Sequence, residues 1–420
     1  SIIKILNKKF KINIIKLNIK EFKMKLRLSK RALKEDFQGQ FVKMMLDVAA
    51  KGDLISFAGG LPNPISFPVE EIKEACCKVL DNNGIQSLQY NNADGYLPLR
   101  EFIANRYKMQ GADIKAKNIL ITNGSQQALD IIASVLIDAG DDVLVEDPSY
   151  LVALQTFHIY NPNIRTVSLN EDGANLEEFK ESMNKYNHKL FYSVPTFQNP
   201  TGITYTSEVR EKIAEIMKGK DTFFIEDNPY GELRFRGEHQ KSFYNLLGEQ
   251  AILMGTFSKT FSPGFRMGWI ACGIDEVINK MKHYKQLVDF HTSIFSQMVV
   301  AQYLKDNDYD AHIKKITDLY KKQCDYMLEA MDKYFAKDIH WTHPEGGMFI
   351  WVKLPKGIDA VELGKKAADN GVAIAPGEPF YESKRGEGTF RLNYTNSSPE
   401  MIDKGISILA KVIEEMKKSK

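Results

Sequence analysis

The chain has 420 residues, of which 43% are hydrophobic and 26% charged, and its formal net charge is +2 at pH 7. This composition is ordinary for a globular protein with room for two domains, and it excludes a fibre or a disordered chain. Residues 1–36 carry twelve Lys/Arg and three acids, so the rest of the chain is mildly acidic and gives no electrostatic footprint for nucleic acid.

Residues 1–36 form a basic N-terminal extension. Its apolar residues are interrupted by Lys and Asn too often to make the roughly 20-residue apolar span of a membrane helix. It has neither the small-residue cleavage site of a signal peptide nor the Arg/Ser bias of a transit peptide. A basic surface-binding helix is one interpretation. We prefer a poorly ordered extension, arising from a start codon upstream of Met24, and expect no membrane partner.

The cysteines and histidines predict neither disulfides nor a metal site. The eight histidines include no HExxH pair, so we expect no catalytic metal. Cysteine spacing fits neither CxxC nor zinc motifs, and a core of this size does not need a disulfide scaffold. We therefore expect a protein of the reducing cytoplasm. The four cysteines are Cys76, Cys77, Cys272 and Cys324.

From residue 118 onward, short apolar runs alternate with helical periodicity. Apolar runs of five to seven residues between helices are typical of strands buried on both faces of a mainly parallel sheet. The sequence therefore predicts an α/β protein. In chain order the predicted elements are a strand at 118–122, a helix at 125–139, strands at 142–146, 164–169 and 189–194, a helix near 207–218, and strands at 222–226, 251–257 and 268–272.

A different pattern comes next and predicts a smaller α+β domain. Long helical stretches at about 275–335 lead to apolar segments at 341–355, 372–376 and 390–395, with a helix near 360–370 and a last one from about Pro399. A helix before the loop at 56–68 is expected to join this domain. The predicted organisation is a basic extension (1–36), an N-terminal segment contributing to the small domain (37–88), a large domain (89–310) and a C-terminal small domain (311–420).

Polar residues stand at or shortly after the ends of several predicted strands. Ligands bind outside the carboxyl ends of strands in open parallel sheets, so these residues are candidates for a site. In NGSQQALD, Asn123 or Ser125 can cap a helix whose free N–H groups would bind an anion, although a plain N-cap also explains the pattern. In DPSY, Tyr150 can present its ring face to a planar ligand or simply be a tyrosine in a turn.

The next two strands are followed by an amide and a pair of acids. Asn199, in PTFQNPTG, can donate to an oxygen substituent, although NP and TG are also turn chemistry. Glu226 and Asp227 are adjacent, and strand alternation places only one of them in a pocket. A buried aspartate opposite a cationic ring nitrogen would keep that nitrogen protonated; an Asx-turn cap is the alternative.

The stretch GTFSKTFSPGFRMGW, residues 255–269, delivers Lys259 at the end of an apolar run. A lysine at the mouth of a buried strand loses hydration, which lowers the pKa of its amine and prepares a nucleophile. A lysine on a strand edge with its amine in water is the alternative.

Taken together, these residues meet the needs of one ligand. A planar, anionic, lysine-reactive compound needs an amine, a carboxylate for its ring cation, a phosphate cradle, a stacking ring, and a phenol or amide near its oxyanion. The compound described is pyridoxal 5'-phosphate (PLP). The residues that meet these needs are Lys259, Asp227, the turn 124–126, Tyr150, Tyr230 and Asn199.

The chain resembles the fold-type I, PLP-dependent class I/II aminotransferases, near the branch of the 2-aminoadipate and kynurenine aminotransferases. The matching segments run in the family's order over about residues 40–415. They are SFAGGLPNPISFP, YNNADGYLPLREFIA, NGSQQALD, EDPSY, QNPTG, EDNPYGELRF, GTFSKTFSPGFRMGW, EGGMFIW, PGEPFY and FRLNYT.

The resemblance implies a role for each matching residue. Lys259 matches the lysine that binds the cofactor's aldehyde, Asp227 the partner of the ring nitrogen, and Asn199 and Tyr230 the groups at the phenolic oxygen. Tyr150 matches the stacking ring. The phosphate-binding positions are Ser125, Gln126, Thr256 (where many members have Ser), Ser258 and Arg266.

Three further matches concern the substrate and a second subunit. Arg391 matches the arginine that receives the substrate α-carboxylate, with a structural salt bridge as its alternative. Gly60 lies in the loop lining the substrate side chain, where glycine leaves room for long or aromatic groups. Tyr90 matches a tyrosine that reaches the neighbouring subunit's phosphate, which implies a homodimer.

The implied activity is transfer of an amino group by a ping-pong mechanism. The expected donors are 2-aminoadipate, aromatic or aliphatic amino acids, and the expected acceptor is a 2-oxo acid such as 2-oxoglutarate. Two alternatives stay open: a carbon–sulfur β-lyase on the same scaffold, and an aminotransferase-like transcription regulator, for which the chain before residue 40 lacks the helix-turn-helix pattern and length.

Overall fold

The computed structural model describes residues 28–29, 32, 54–383, 386 and 388–418. The predicted basic extension and the helix predicted before the loop at 56–68 lie almost wholly outside the described residues. The helices and strands of the described chain lie between Ile55 and Lys418.

Strands and helices alternate through the first part of the described chain, as the apolar runs predict. The helix predicted at 125–139 ends at Leu136, because the next residue, Ile137, is already extended with φ −117° and ψ 124°. The elements are β1 (Ile55–Ser56), α1 (Val69–Ser87), α2 (Leu97–Met109), β2 (Ile119–Thr122), α3 (Gly124–Leu136), β3 (Asp142–Asp147), α4 (Leu151–Tyr160), β4 (Asn163–Asn170), β5 (Gly173–Ala174), α5 (Leu176–Lys185), β6 (His188–Ser193), α6 (Ser207–Met217), β7 (Phe223–Asp227), α7 (Phe243–Leu247), β8 (Ala251–Thr256) and β9 (Gly268–Cys272).

The later elements are mainly helical and then mixed. The apolar segment 372–376 forms two short strands separated at Ile374, because the first half pairs with β1 and the second half with the last strand. The elements are α8 (Asp275–Val288), α9 (Ile294–Asp306), α10 (Tyr309–Tyr334), β10 (His340–Trp341), β11 (Phe349–Lys353), α11 (Ala360–Asp369), β12 (Val372–Ala373), β13 (Ala375–Pro376), β14 (Thr389–Asn393) and α12 (Pro399–Lys418).

An eight-stranded sheet with the order β2-β9-β8-β7-β6-β3-β4-β5 forms the centre of the fold. Five adjacent strands of this sheet are parallel to one another: β8, β7, β6, β3 and β4. Strand β9 runs antiparallel to both of its neighbours, β8 and β2. Side chains alternate between two apolar cores: Tyr192 and Ile225 face one, Phe191 and Phe224 the other. The predicted α/β fold with a mainly parallel sheet is confirmed.

Two smaller sheets match the expected α+β pattern. Strands β10-β11-β14-β13 form an antiparallel sheet, and β1 pairs in parallel with β12. In this arrangement Arg391 of β14 lies opposite Trp351 of β11 and Ala375 of β13. No helix of the described chain is long and apolar enough to cross a membrane.

Candidate active site

The carboxyl ends of β6, β7 and β8 bring the predicted residues to one edge of the central sheet. Asp227 is the last residue of β7 and pairs with Met254 of β8, and β8 ends at Thr256, three residues before Lys259. Asn199 lies in the loop after β6. Parallel pairing therefore gathers side chains that are far apart in sequence.

Glu226 and Asp227 point to opposite faces of the sheet, as strand alternation predicts. Glu226 accepts hydrogen bonds from Phe243 N (2.7 Å) and Ser242 Oγ (3.0 Å). Asp227 Oδ2 accepts from the hydroxyl of Tyr192 at 2.7 Å, whereas its buried Oδ1 has no hydrogen-bond partner among the described residues. Burial raises the pKa of Asp227 to about 7, against the effect of the Tyr192 hydrogen bond.

Lys259 lies near two arginines in a partly buried position. Its Nζ donates to Gly60 O at 2.8 Å, which places the predicted substrate loop next to the amine. Burial lowers the pKa of Lys259 to about 8, and the positive charges of Arg391 and Arg266 contribute in the same direction. A larger fraction of the Lys259 amine is therefore uncharged near pH 7 than in an ordinary lysine.

The N-terminus of α3 meets the end of β9 closely. A Cβ on Gly268 would lie 2.7 Å from Gly124 C and 2.9 Å from Ser125 N, and a Cβ on Gly124 would lie 2.7 Å from Arg266 Nη2. Gly124 has φ +77°, and Arg266 itself has φ +51°. Because the two glycines have no side chains, the guanidinium of Arg266 can lie against the first turn of α3, where free backbone N–H groups favour a bound anion.

The other four residues predicted for the phosphate lie in two segments, the end of β8 with the residues after it and the first turn of α3. Ser258 and Thr256 are buried, and their hydroxyls are 3.0 Å apart. Ser125 is partly buried in the first turn of α3, whereas Gln126 is exposed. Asn123 occupies the N-cap position, but its side chain makes no cap hydrogen bond and instead donates to Asp289 Oδ2 at 2.6 Å. The expectation that Asn123 caps this helix is therefore wrong.

Arg391 is buried between two aromatic rings. Its guanidinium carbon lies 4.2 Å from the Phe349 ring centroid and 5.0 Å from that of Phe380. Nη1 donates to Asn199 Oδ1 and Nη2 to Ala58 O, each at 2.7 Å. Nε has no partner among the described residues, and burial lowers the pKa of Arg391 to about 10. No carboxylate of the described residues pairs with Arg391, so this buried cation is available to an anionic ligand.

The predicted tyrosines are divided between this site and another surface. Tyr230 is buried, accepts from Asn199 Nδ2 at 3.5 Å and packs edge-on against Phe349. Tyr150 directly precedes α4, and burial, together with the charge of Asp227, raises its pKa to about 12. Tyr90 does not share these contacts: its side chain is 78% exposed and packs edge-on against Phe290 and His291.

Sequence reasoning missed residues that hold the predicted ones in place. Tyr192 binds Asp227, and Glu146 accepts from Gln198 Nε2 at 2.9 Å, next to Asn199. No local signal marked Tyr192, because its position on the same face as Asp227 depends on the register that pairs it with Ile225, two residues before Asp227. For Glu146, its position in the repeated dipeptide Glu-Asp at the ends of β3 and β7 was the signal.

Known proteins share this fold and these sequence features. Residues 58–409 match the family Aminotransferase class I and II. The chain is 42% identical over 388 residues to aromatic-amino-acid aminotransferase 1 of Thermococcus litoralis, and the match covers 90% of this chain and 92% of that protein. The chain belongs to the class I and II aminotransferases.

Two solved structures extend the comparison to the fold of this aminotransferase. Kynurenine aminotransferase of Pyrococcus horikoshii, solved in complex with PMP, KYN as substrates and KYA as products, has a TM-score of 0.88 and 39% identity, covering 93% of this chain and 97% of the other. LysN, the alpha-aminoadipate aminotransferase of Thermus thermophilus, solved with N-(5'-phosphopyridoxyl)-L-leucine, has a TM-score of 0.86 and 33% identity, covering 94% and 98%. The predicted fold type I and the predicted aminotransferase class are confirmed.

Proposed function

We propose that this aminotransferase uses PLP bound at Lys259 to move an amino group between an amino acid and a 2-oxo acid. One observation carries the proposal: the amine of Lys259 and the free oxygen of Asp227 lie at the ends of neighbouring strands, in a site that also holds the buried guanidinium of Arg391. These are the groups needed to bind an aldehyde, a ring nitrogen and a carboxylate.

The residues present fit PLP. Asp227 Oδ1 is a buried acceptor with no partner in the described chain, which suits a protonated ring nitrogen. The close approach at Gly124 and Gly268 leaves a cradle with an adjacent guanidinium, which suits a phosphate. The residues that would hold the cofactor are Ser125, Gln126, Thr256, Ser258, Arg266 (phosphate), Tyr150 (ring face), Asn199, Tyr230 (phenolic oxygen), Asp227 (ring nitrogen) and Lys259 (aldehyde).

PLP supplies an electron sink for the bonds at the substrate Cα. Once the substrate amine has replaced it at the aldehyde, Lys259 Nζ would be free to take the proton from the substrate Cα, and its pKa of about 8 leaves part of the amine neutral near neutral pH. Asp227 would place a negative charge beside the ring nitrogen of bound PLP and so would hold a proton on that nitrogen. Arg391 binds the substrate α-carboxylate with two N–H groups, which fixes the Cα–H bond relative to Lys259.

We further propose that the substrates are 2-aminoadipate, aromatic or aliphatic amino acids, with 2-oxoglutarate as acceptor. The names of the similar proteins support this range. Gly60 supports it physically, because a Cβ there would lie 3.1 Å from the Phe349 ring and would crowd the space beside Lys259.

A homodimer is part of the proposal. Apolar side chains are exposed at the ends of α1 and α8, and the ring contact of Tyr90 with Phe290 joins the two ends. An apolar surface of this kind is typical of a subunit interface. We propose that it brings Tyr90 to the phosphate of the neighbouring subunit, in an enzyme of the reducing cytoplasm. The exposed residues are Ile85, Leu88, Tyr90, Leu287, Val288 and Phe290.

The test compares wild-type enzyme with Lys259→Ala, using Lys282→Ala as a control for a partly buried lysine paired elsewhere. We expect wild type and control to bind PLP with a visible absorption band, and borohydride to attach the cofactor to the peptide containing Lys259. Lys259→Ala is expected to lose the attachment and to lower kcat about a thousandfold or more.

Colourless wild-type protein that cannot bind PLP, or full activity of Lys259→Ala, contradicts the proposal. Two further measurements separate the alternatives. Pyruvate and ammonia formed without any 2-oxo acid indicate a β-lyase, and specific duplex binding at physiological salt indicates a regulator. A donor panel in which only short, alanine-like amino acids react contradicts the substrate range.

A further inference from the structure

Tyr192 lies beside Asp227 in the sheet, on the neighbouring strand β6. Both side chains are buried, with 0% and 2% of their surfaces exposed. The hydroxyl of Tyr192 donates to Asp227 Oδ2 at 2.7 Å, and the Tyr192 ring packs edge-on against Phe157 at 5.5 Å. The Tyr192 side chain is therefore held at its hydroxyl by Asp227 and at its ring by Phe157.

This contact makes the two carboxylate oxygens of Asp227 different. Oδ2 already has a donor, whereas Oδ1 has no partner within the described part of the chain. Burial and the negative charge of Asp227 raise the pKa of Tyr192 well above its ordinary value, so its hydroxyl keeps its proton and acts as a donor. The tyrosine thus fixes the orientation of the carboxylate and leaves one oxygen available.

We propose that Tyr192 is a positioning residue of the aminotransferase reaction: it keeps Asp227 ionised and turned so that Oδ1 receives the ring N–H of PLP. This inference rests on the proposed function. It assigns a role to a residue of strand β6 that acts through Asp227 rather than on the substrate.

The role follows from the surroundings of the carboxylate. Burial favours the neutral acid, the negative charge of Glu146 on β3 acts in the same direction, and the Tyr192 hydrogen bond opposes both. Without that bond, the proton shared between the ring nitrogen and Asp227 moves toward the carboxylate. The ring then loses positive charge and withdraws electrons less strongly from the substrate Cα.

The chain contains a matched control on the opposite face of the sheet. Tyr205 is also fully buried and donates to a buried carboxylate at the end of a strand, Glu146 Oε1, at the same distance of 2.7 Å. Glu146 has further donors, including Ser193 Oγ at 2.5 Å and Gln198 Nε2 at 2.9 Å. Tyr205→Phe therefore removes a similar hydrogen bond from a different carboxylate.

The experiment uses wild type, Tyr192→Phe and Tyr205→Phe, each loaded with PLP carrying nitrogen-15 in its ring. We expect the nitrogen-15 resonance of Tyr192→Phe to move from the pyridinium value toward that of neutral pyridine, while Tyr205→Phe keeps the wild-type value. We expect Tyr192→Phe to lower kcat about tenfold or more, with KM for the amino donor changed less than about threefold.

A second comparison asks whether Tyr192 acts through Asp227. In an Asp227→Asn background, adding Tyr192→Phe is expected to change kcat less than about twofold, because the carboxylate is already gone. Tyr192→Leu removes the hydroxyl in another way if the Phe variant does not fold, as judged by its melting temperature.

An unchanged ring-nitrogen resonance with wild-type kcat in Tyr192→Phe overturns the inference. So does an equal shift in Tyr205→Phe, or an equal loss of kcat in the two backgrounds. These outcomes differ from failure of the proposed function, in which the wild-type protein itself does not bind PLP.

Discussion

Asp227, Lys259 and Arg391 are ionisable side chains that the fold removes from water, and burial is the largest cause of the pKa shift of each. The pKa values lie at about 7, 8 and 10, each moved toward the neutral form of the group. A buried charge without a partner destabilises a fold. Because Asp227 Oδ1 and Arg391 Nε lack partners among the described residues, the ligands that complete the site are also expected to stabilise the protein.

Asp227→Asn is expected to stabilise the cofactor-free protein in a pH-dependent way. The pKa of Asp227 is about 7 in the fold and ordinary, 3.8, in the unfolded chain, so the native state holds the extra proton between these values. The wild-type carboxyl group therefore destabilises the fold increasingly as pH rises from about 4 to 7. We expect Asp227→Asn to increase the free energy of unfolding by roughly 1–4 kcal/mol at pH 8, and by less at pH 5.

Urea unfolding of the two cofactor-free proteins at pH 5, 6.5 and 8 measures this difference. With PLP added the order is expected to reverse, because only the carboxylate stabilises a protonated ring nitrogen. A gain that is the same at every pH would show that the carboxyl group is not responsible.

At this scale the sequence predicted the residues that come after strands, but not those that support them. Asn199, Asp227 and Lys259 could be found because each lies at or after the end of a predicted strand, and the carboxyl ends of parallel strands form the ligand-binding edge of such a sheet. Tyr192 lies inside such a run and resembles a core residue, since its partner depends on the register between β6 and β7. The local pattern predicted that Asn123 caps the helix. Its actual partner, Asp289, is 166 residues away in the sequence, and a local pattern does not reveal such a partner.

The N-terminus of helix α3 and the start of strand β9 lie together where the phosphate would bind. Their approach depends on Gly124 and Gly268, because a Cβ at either position would clash with the other segment or with Arg266. The sequence predicted both elements and the helix N-terminus, since those are local patterns. The close contact between them is tertiary, as is the division of residues 372–376 between two sheets, and neither could be derived from local periodicity.

Gly124→Ala is expected to weaken PLP binding more than it weakens the fold. Gly371→Ala is the matched control: its φ of +88° resembles the +77° of Gly124, but nothing lies within 4 Å of its Cβ. Both changes strain the backbone by about 1–2 kcal/mol, whereas only the first displaces Arg266. We expect Kd for PLP to rise about tenfold or more in Gly124→Ala and to stay within about twofold in Gly371→Ala.

Fluorescence titration of the cofactor-free variants measures Kd, and melting temperatures measure the strain. Equal losses of affinity in both variants would mean that backbone strain, rather than the position of Arg266, controls binding.

At the scale of the whole molecule, Tyr90 is the residue that we propose to reach a second subunit. It is exposed, yet it is held in place by Phe290 and His291, and His291 Nε2 accepts from Asn91 N at 3.3 Å. An ordered, exposed tyrosine within an apolar surface is suited to enter a neighbouring molecule.

The division into domains at 89–310 and 311–420 stays a prediction.

Mixed dimers of Lys259→Ala and Tyr90→Ala chains decide whether Tyr90 acts on its own site or on its partner's. Each parent dimer is expected to be defective at limiting PLP, because every site lacks either the lysine or the tyrosine. If Tyr90 crosses the interface, a mixed dimer has one site with both residues, since the Tyr90→Ala chain keeps Lys259 and receives Tyr90 from the Lys259→Ala chain. We therefore expect each mixed dimer to have about half of the wild-type transaminase activity at limiting PLP, so that random exchange of an equimolar mixture restores about a quarter of the wild-type activity. Activity that stays at the average of the two parents, with exchange confirmed by a mass tag on one chain, would place Tyr90 in its own subunit's site or outside any site.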